Sequence, residues 1–226
     1  YKGDIKDAIK RLKNNEPVQY IVGDVDFYGY TLDVNKNVLI PRRETEELVE
    51  YVIKYAKRLN KPSIIDVGTG TGAIAIALSK ELNLPVYASD ISPKAIEVAR
   101  KNVEKTNSKV SLLLGDMLKP YIDRNIKADI IVSNPPYIRE DEEIEKIVKD
   151  NEPEIALYAP NNGLFYYEEI LKNASKVLND KFLIAFEIGE KQAFDVEKLA
   201  HKYLKDVKVE IKKDLSDKNR FVFVYN

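Results

Sequence analysis

The sequence predicts an α/β fold: a doubly wound, mostly parallel sheet of seven strands with the last strand antiparallel, preceded by one helix and a β-hairpin. Three observations carry that expectation. Short apolar runs such as Ser63-Ile64-Ile65-Asp66-Val67 and Asp129-Ile130-Ile131-Val132-Ser133 have the unbroken hydrophobicity of strands buried on both faces. Segments with helical spacing alternate with such runs from residue 63 onward. A glycine-rich turn, Gly68-Thr69-Gly70-Thr71-Gly72, joins the first of these strands to the helix that follows.

Taken in chain order, Ile5, Ala8, Ile9 and Leu12 fall at helical spacing, which predicts a helix over 4–14 that stops at Asn14-Asn15. Residues 18–40 read as extended, with turns at Asp24-Val25-Asp26 and Asn35-Lys36-Asn37, and form the hairpin. Leu48, Val49, Val52, Ile53, Ala56 and Leu59 mark one side of a helix over 45–59. Strands follow at 63–67, 86–90, 110–114, 129–133, 182–188, 207–213 and 221–225. Helices lie between them at 72–82, 93–106, 140–149, 164–178 and 190–204. Turn residues at Ser216-Asp217-Lys218-Asn219 make the last two strands a hairpin, so the final strand runs antiparallel. The irregular stretch around 150–163 is long enough to be a lid or substrate loop.

Composition narrows the function classes. At 226 residues and 44% hydrophobic, the chain can bury one substantial core. It has no cysteine, which removes disulfides and thiolate metal sites and fits a reducing cytoplasm. His201, the single histidine, builds no metal site, and none is predicted. The 36 basic and 37 acidic residues balance to a net charge of −1, so nothing draws the whole molecule toward nucleic acid. No apolar run approaches the roughly 18 residues of a membrane span. The sequence begins at Tyr1 rather than at methionine.

Glycines in the loop after the first strand permit a sharp turn and let backbone approach a ligand, with the N–H groups of the helix start free to meet it. A dinucleotide fold would place its third glycine one position later, and a phosphate-binding P-loop would need a lysine after Gly72. The pattern Asp66-x-Gly68-x-Gly70-x-Gly72 resembles instead the Rossmann-like class I methyltransferases, whose cofactor is S-adenosyl-L-methionine. Gly68, Thr69, Gly70, Thr71 and Gly72 are accordingly candidate cofactor-binding residues. Asp90 ends the next strand 18 positions after Gly72, near the spacing at which a carboxylate grips a ribose diol. The third strand ends at Gly115-Asp116-Met117, and the resemblance implies that Asp116 contacts the adenine amino group while Met117 covers the ring. Asp66 is read as a brace for the glycine loop.

The fourth strand ends in Asn134-Pro135-Pro136-Tyr137, on the side of an open sheet where ligands bind. An amide or aromatic amine nitrogen is flat, and two acceptors aimed at its hydrogens fix its plane. The Asn134 side-chain oxygen is one acceptor and the Pro135 carbonyl the other, and the prolines hold that carbonyl in one direction. Tyr137 can stack on the flat group. Asn134, Pro135 and Tyr137 are therefore the candidate catalytic residues, with Pro136 joining them as substrate-binding. Asn134 also belongs to the cofactor side. Positioning and charge stabilisation then suffice, without a strong general base.

These motifs sit among longer matching blocks. Glu16-Pro17-Val18-Gln19-Tyr20-Ile21-Val22-Gly23, Phe27-Tyr28-Gly29 and Ile40-Pro41-Arg42 with Glu44-Thr45-Glu46 precede the glycine loop. Glu152-Pro153, Asn162-Gly163-Leu164 and Glu187-Ile188-Gly189 follow Asn134-Pro135-Pro136-Tyr137. Together they resemble, almost end to end, the release-factor glutamine N5-methyltransferase family. The resemblance implies methyl transfer to the side-chain amide of a glutamine in the Gly-Gly-Gln loop of a peptide-chain release factor, a protein partner met in the cytoplasm. It also implies that residues 1–15 are the last helix of an N-terminal substrate-binding domain, 16–41 a hairpin linker and 42–226 the methyltransferase domain. Two positions depart from the family pattern: Arg43 stands where proline is common, and Ala159-Pro160-Asn161-Asn162 replaces a glycine-rich turn.

Other readings stay open on the residues alone. A ribosomal-protein glutamine, or an adenine N6 or guanine N2 in nucleic acid, would suit the same acceptor pair, since a flipped base also presents a planar amine. A nucleotide-binding module, or a relative of NAD-type oxidoreductases, would keep the loop and lack the methyl chemistry. Arg42 and Glu46 are read as an ion pair at the start of their helix, Phe27 as core, and the acidic run Glu140–Glu145 as a solvated helix face.

Overall fold

The computed structural model describes residues 3–226; Tyr1 and Lys2, the first two residues of the predicted N-terminal segment, lie outside the described residues. Its elements are α1 (Ile5–Lys13), α2 (Val18–Val22), β1 (Asp24–Phe27), β2 (Tyr30–Asp33) and α3 (Arg43–Ala56). The alternating part follows: β3 (Ile64–Val67), α4 (Ala73–Leu82), β4 (Val86–Asp90), α5 (Pro93–Thr106), β5 (Val110–Leu114), α6 (Lys119–Ile122) and β6 (Ala128–Ser133). The last third holds α7 (Lys146–Asn151), a 3₁₀ turn at Glu154–Ala156, α8 (Pro160–Gly163), α9 (Phe165–Ala174), β7 (Leu178–Glu187), α10 (Ala193–Tyr203), β8 (Lys208–Lys213) and β9 (Asn219–Tyr225).

Seven strands form one sheet in the order β5-β4-β3-β6-β7-β9-β8. Pairings from β5 across to β7 are parallel, and β9 runs antiparallel to both of its neighbours. This is the doubly wound, mostly parallel sheet with its last strand antiparallel that the alternation and the closing hairpin predict. β3 is flanked by β4 on one side and β6 on the other, with Val67 level with both Ser89 and Ser133. Chain order reverses direction there, so the tips of β3, β4 and β6 open onto the crevice where such sheets bind ligands.

Strand alternation divides the core into two layers. Ile64, Ile130, Val132 and Phe221 pack with α3 and α4 on one face, joined by Phe27 and Leu32 of the hairpin. Ile65, Ile131, Phe186 and Val222 pack with α6, α9 and α10 on the other. A smaller cluster joins Tyr20, Val34, Val38 and Ile40 to Ala95 and Val98 of α5, which docks residues 20–40 onto that helix. Helix ends follow local chemistry. The Ser92 hydroxyl caps α5 by accepting from the Ala95 N–H at 3.2 Å, Pro93 opens the helix, and Asn107 closes it in the left-handed region.

Three sequence expectations need correction. Residues 18–22 form α2 rather than a strand. Pro17 opens that turn, Gly23 closes it at φ +93°, and Tyr20 is held by its hydroxyl donating to the Val38 carbonyl at 2.6 Å, so tertiary burial overrides the β propensity of Val, Tyr and Ile. The hairpin turns at Tyr28-Gly29, not at Asp24–Asp26, and residues 38–40 join no strand. Both turn residues have positive φ, as a two-residue hairpin requires, and the Tyr28 N–H donates to Glu46 Oε1 at 2.7 Å. The helix expected over 140–149 is only Lys146–Asn151; a helix through 140–145 would stack like charges at Glu140/Glu143, Glu142/Glu145 and Asp141/Glu145 and offer no apolar stripe. Glu140–Glu145 is therefore a turn at Glu140-Asp141 followed by irregular chain, and not a solvated helix face.

Candidate active site

The glycine loop is pinned between β3 and β4. Gly68 and Thr69 N–H groups both donate to the Ser89 carbonyl at 2.9 Å, and Gly72 N–H donates to the Thr69 carbonyl at 2.8 Å. Gly68, Gly70 and Gly72 have φ of +73°, +55° and +84°. Side chains at 68 and 70 would project into open space, whereas one at 72 would meet Ile76 Cδ1 at 3.2 Å and Ala99 Cβ at 3.5 Å. Gly72 thus lets α4 sit close to α5, and the other two leave a concave cradle of bare backbone. Asn102 of α5 braces the loop from behind, with Nδ2 donating to the Thr71 carbonyl at 2.9 Å and Oδ1 accepting from Asp33 N–H at 2.7 Å.

Asp66 lies under the loop, wholly buried, with Thr69 Oγ1 donating to its Oδ2 at 2.6 Å. Burial pushes its carboxyl up to about 7 against the pull of that hydroxyl. Between its ordinary value and about 7 the folded chain binds a proton that the unfolded chain has released, so this group's contribution to stability is greatest in acid and declines as pH rises to neutrality. The melting temperature is expected to fall from pH 5 to pH 8 by less in Asp66→Asn than in the wild type, the carboxylate costing at most on the order of 4 kcal/mol. Equal slopes for the two proteins would reject the assignment.

Asp90 closes β4 with both oxygens engaged, Oδ2 accepting from Gly70 N–H and Oδ1 from Ser92 N–H, each at 2.9 Å. Burial raises its carboxyl, and the Ser92, Gly70 and Ile91 amides oppose that rise. Each oxygen keeps a lone pair for a further donor. Glycine-loop backbone, Asp90, Ile91, Gly115, Met117 and Tyr166 line a cleft of about 960 Å³, counted with its open mouth, and Asn134 and Pro136 stand at its far wall. Met117 is half-buried there at φ +43°, while Asp116 is exposed and does not line the cleft.

A second cavity of about 890 Å³ lies beyond that wall, lined by Asn134, Pro135, Tyr137, Glu143, Leu157 and Glu187 among others. Leu39, Arg42, Asn134 and Ala156 face both spaces. Asn134 therefore stands between two chambers, as a residue contacting both donor and acceptor must. Ser133 Oγ donates to the Val67 carbonyl at 2.7 Å, tying the tip of β6 to that of β3. Asn134 Nδ2 donates to Thr45 Oγ1 at 3.2 Å, and Thr45 Oγ1 donates to Glu187 Oε2 at 2.6 Å. Burial pushes Glu187 up to about 7, and Tyr137 up to about 12.

The stretch 150–163 is docked over this wall. Ile138 N–H donates to the Leu157 carbonyl at 3.0 Å, and Ala159 N–H donates to the Ile138 carbonyl at 2.8 Å. Arg42 does not pair with Glu46. Its guanidinium holds the buried Glu152 at 2.5 Å, and Glu152 Oε2 accepts from Ile40 N–H at 3.1 Å, so the segment 150–163 is tied to residues 40–42, with Arg42 lining both cavities. Asn161 and Asn162 both adopt left-handed backbone, at φ 56° and 54°, which asparagine tolerates where glycine is usual. Gly163 has no such substitute. A Cβ there would lie 2.2 Å from the Tyr137 carbonyl oxygen and 2.4 Å from Gln192 Nε2, at φ +81°. Gly163→Ala is expected to cost on the order of 2 kcal/mol or more in thermal unfolding; a melting temperature equal to that of the wild type would show that the lid can shift freely.

Sequence reasoning left Thr45, Tyr166 and Glu187 without roles. A carboxylate ending the otherwise apolar run Phe182–Phe186, one strand from Asn134, is a signal that could have found Glu187.

Comparison with known proteins agrees with this geometry. The methyltransferase small domain model matches residues 45–157. The release factor glutamine methyltransferase of Bacillus subtilis is 42% identical over 224 residues, covering 96% of this chain and 78% of that protein. That of Streptococcus pneumoniae is 44% identical, with 97% and 78% covered. Among solved structures, a release factor-specific protein-(glutamine-N5) methyltransferase from Alicyclobacillus acidocaldarius superposes with a TM-score of 0.55 at 27% identity, covering 86% of this chain and 99% of that one. With relatives this similar over most of its length, a methyltransferase sheet and two chambers meeting at Asn134, the chain belongs to the release factor glutamine methyltransferase family.

Proposed function

We propose that the cleft over β3 and β4 binds S-adenosyl-L-methionine and that the second cavity receives the side chain of a glutamine from the Gly-Gly-Gln loop of a peptide-chain release factor. The observation that carries this reading is the place of Asn134 in the wall common to both spaces. The cradle at Gly68 and Gly70, where backbone is bare and a Cβ would meet nothing, fits a ligand that approaches the chain closely.

In this reading Asp90 accepts from the ribose hydroxyls, Met117 covers the adenine ring and Asp116 meets its amino group from the rim. Thr69, Thr71 and Gly72 shape the loop around the donor. The donor supplies a methyl carbon already activated by its sulfonium. Asn134 Oδ1 and the Pro135 carbonyl accept the two amide hydrogens of the glutamine, hold its plane and favour electron density on nitrogen as the new bond forms. Tyr137 stacks on the amide and Pro136 stiffens the turn. A carbon–sulfur bond breaks, a carbon–nitrogen bond forms and the amide nitrogen gives up one proton to solvent water. The products are N5-methylglutamine and S-adenosyl-L-homocysteine. Residues 42–226 are the methyltransferase domain, 16–41 a linker, and 1–15 part of the substrate-binding apparatus; the reaction belongs to the cytoplasm, where translation ends.

Mass spectrometry of a release factor incubated with the protein and the donor tests this directly. One added methyl on the Gly-Gly-Gln glutamine is expected. Methylation of nucleic acid with no mass gain on the release factor would overturn the reading.

A further inference from the structure

We infer that Thr45 and Glu187 are positioning residues that decide which end of the Asn134 amide faces the acceptor nitrogen, an inference that rests on the glutamine reading above. Both come from elements distant in sequence, Thr45 from the first turn of α3 and Glu187 from the last residue of β7. Both are buried, at 4% and 2% exposure; the Thr45 hydroxyl bonds both the Asn134 amide and the Glu187 carboxylate, and the Asn134 amide also stands close enough to Glu187 to favour its charged form.

The argument is one of proton counting. An asparagine side chain presents an oxygen that accepts or an NH2 that donates, and only the oxygen can hold the N–H of a glutamine amide. A hydroxyl has one proton to give. While Glu187 is ionised it can only accept, so it takes the Thr45 proton. Thr45 Oγ1 is then left with lone pairs alone and must accept from Asn134 Nδ2. That draws the NH2 back toward α3 and leaves Oδ1 as the end free for the acceptor. Were Glu187 protonated, it could donate to Thr45 itself, Thr45 could donate to Asn134, and the amide could turn over. Two NH2 groups would then face each other across the second cavity.

Charged and titratable groups surround the pair on every side. Glu44 on α3 and Tyr137 after β6 face Glu187, Arg220 on β9 faces it with positive charge, and the Tyr167 hydroxyl of α9 donates to its backbone carbonyl at 2.9 Å. Arg220 is itself shared, with Nε donating to Asp214 at 3.1 Å and Nη1 to the Ile188 carbonyl at 3.1 Å. Burial is the largest influence on Glu187 and places its proton loss at about 7. The arrangement is thus poised to lose its polarity on the acid side of neutrality.

Steady-state kinetics on the full chain with donor and release factor tests this, alongside titration with S-adenosyl-L-homocysteine and thermal melts. Thr45→Val keeps shape and removes the hydroxyl, and is expected to lower kcat about 100-fold with a much smaller change in product affinity and the native fold retained. Thr45→Ser restores the hydroxyl and is expected to restore kcat. In Glu187→Gln the acid limb of the kcat–pH profile near neutrality is expected to vanish. A valine variant as active as the wild type, a serine variant as impaired as valine, or an acid limb that persists in Glu187→Gln overturns the inference. Wild-type protein that leaves the glutamine unmethylated overturns the glutamine reading, and this inference with it; the valine and serine results overturn this inference alone.

Discussion

Asn134→Ala is expected to lower kcat by about 100- to 1000-fold while leaving donor affinity and folding nearly intact. Three observations set that expectation. Asn134 closes β6 where the sheet is already secured, since Ser133 Oγ holds the Val67 carbonyl at 2.7 Å without its help. Its side chain is half-buried in a wall with open volume on both sides, so truncation leaves a gap that water can fill rather than a void in the core. Its proposed contact, to an amide hydrogen, strengthens as charge develops on nitrogen, and losing one such preorganised polar contact costs about 2.7–4 kcal/mol in the barrier. Single-turnover rates with saturating donor separate this from a binding defect. A variant with wild-type turnover would remove Asn134 from the chemistry.

Much of this architecture can be read from sequence because the central strands are buried on both faces. β3, β4 and β6 are short, largely buried segments whose expected limits agree with the observed ones to within a residue, and Pro62 and Gly68, Pro85 and Pro93, and Pro135 punctuate them. α5 announces both of its ends, through Ser92-Pro93 and Asn107. The linker was less legible. Val18-Gln19-Tyr20-Ile21-Val22 has strand composition, and only the docking of Tyr20 and Ile21 against the rest of the chain makes it helical. The glutamates of residues 140–145 suggest a helix, since each is a good helix former singly, but at spacings of three and four they repel.

For the site the division is similar. Gly68–Gly72 and Asn134–Tyr137 carry their chemistry in local patterns, so the strand tips they occupy follow from the alternation alone. Thr45 and Glu187 carry theirs in a contact across 142 residues of chain, and Arg42 finds Glu152 across 110. Such pairings depend on how α3 crosses the sheet and how the lid returns over it, which no local pattern encodes. The ion pair expected between Arg42 and Glu46 failed for this reason: helical spacing put the two within reach, but the lid offered a buried carboxylate and the Tyr28 turn claimed Glu46.

Asp90→Ala is expected to weaken binding of S-adenosyl-L-homocysteine about 100-fold or more, with turnover at saturating donor much less affected. Two charge-assisted hydrogen bonds to a ribose diol contribute about 1.5–3 kcal/mol each, so their joint loss exceeds the roughly 2.7 kcal/mol of a hundredfold change. The same substitution strips acceptors from the Gly70 and Ser92 N–H groups, which both end on this carboxylate at 2.9 Å. Part of the loss would therefore come from a loosened cradle rather than from missing ribose contacts, and Asp90→Asn distinguishes the two. Asparagine retains one acceptor, but each carboxylate oxygen already receives a backbone N–H, so its NH2 must face Gly70 or Ser92; a ribose diol can turn its protons to suit the new pair, whereas a backbone N–H cannot. Donor affinity close to wild type in the asparagine variant would mean that meeting the ribose, not holding the loop, is what the carboxylate does. Affinity unchanged even in the alanine variant would take Asp90 out of the donor site altogether. The contrast with Asn134 follows from topology. Asp90 ends β4 and Asn134 ends β6, on opposite flanks of β3, so one lies where the nucleoside sits and the other where the methyl crosses. Damage at the first should appear in donor affinity and at the second in the rate of transfer.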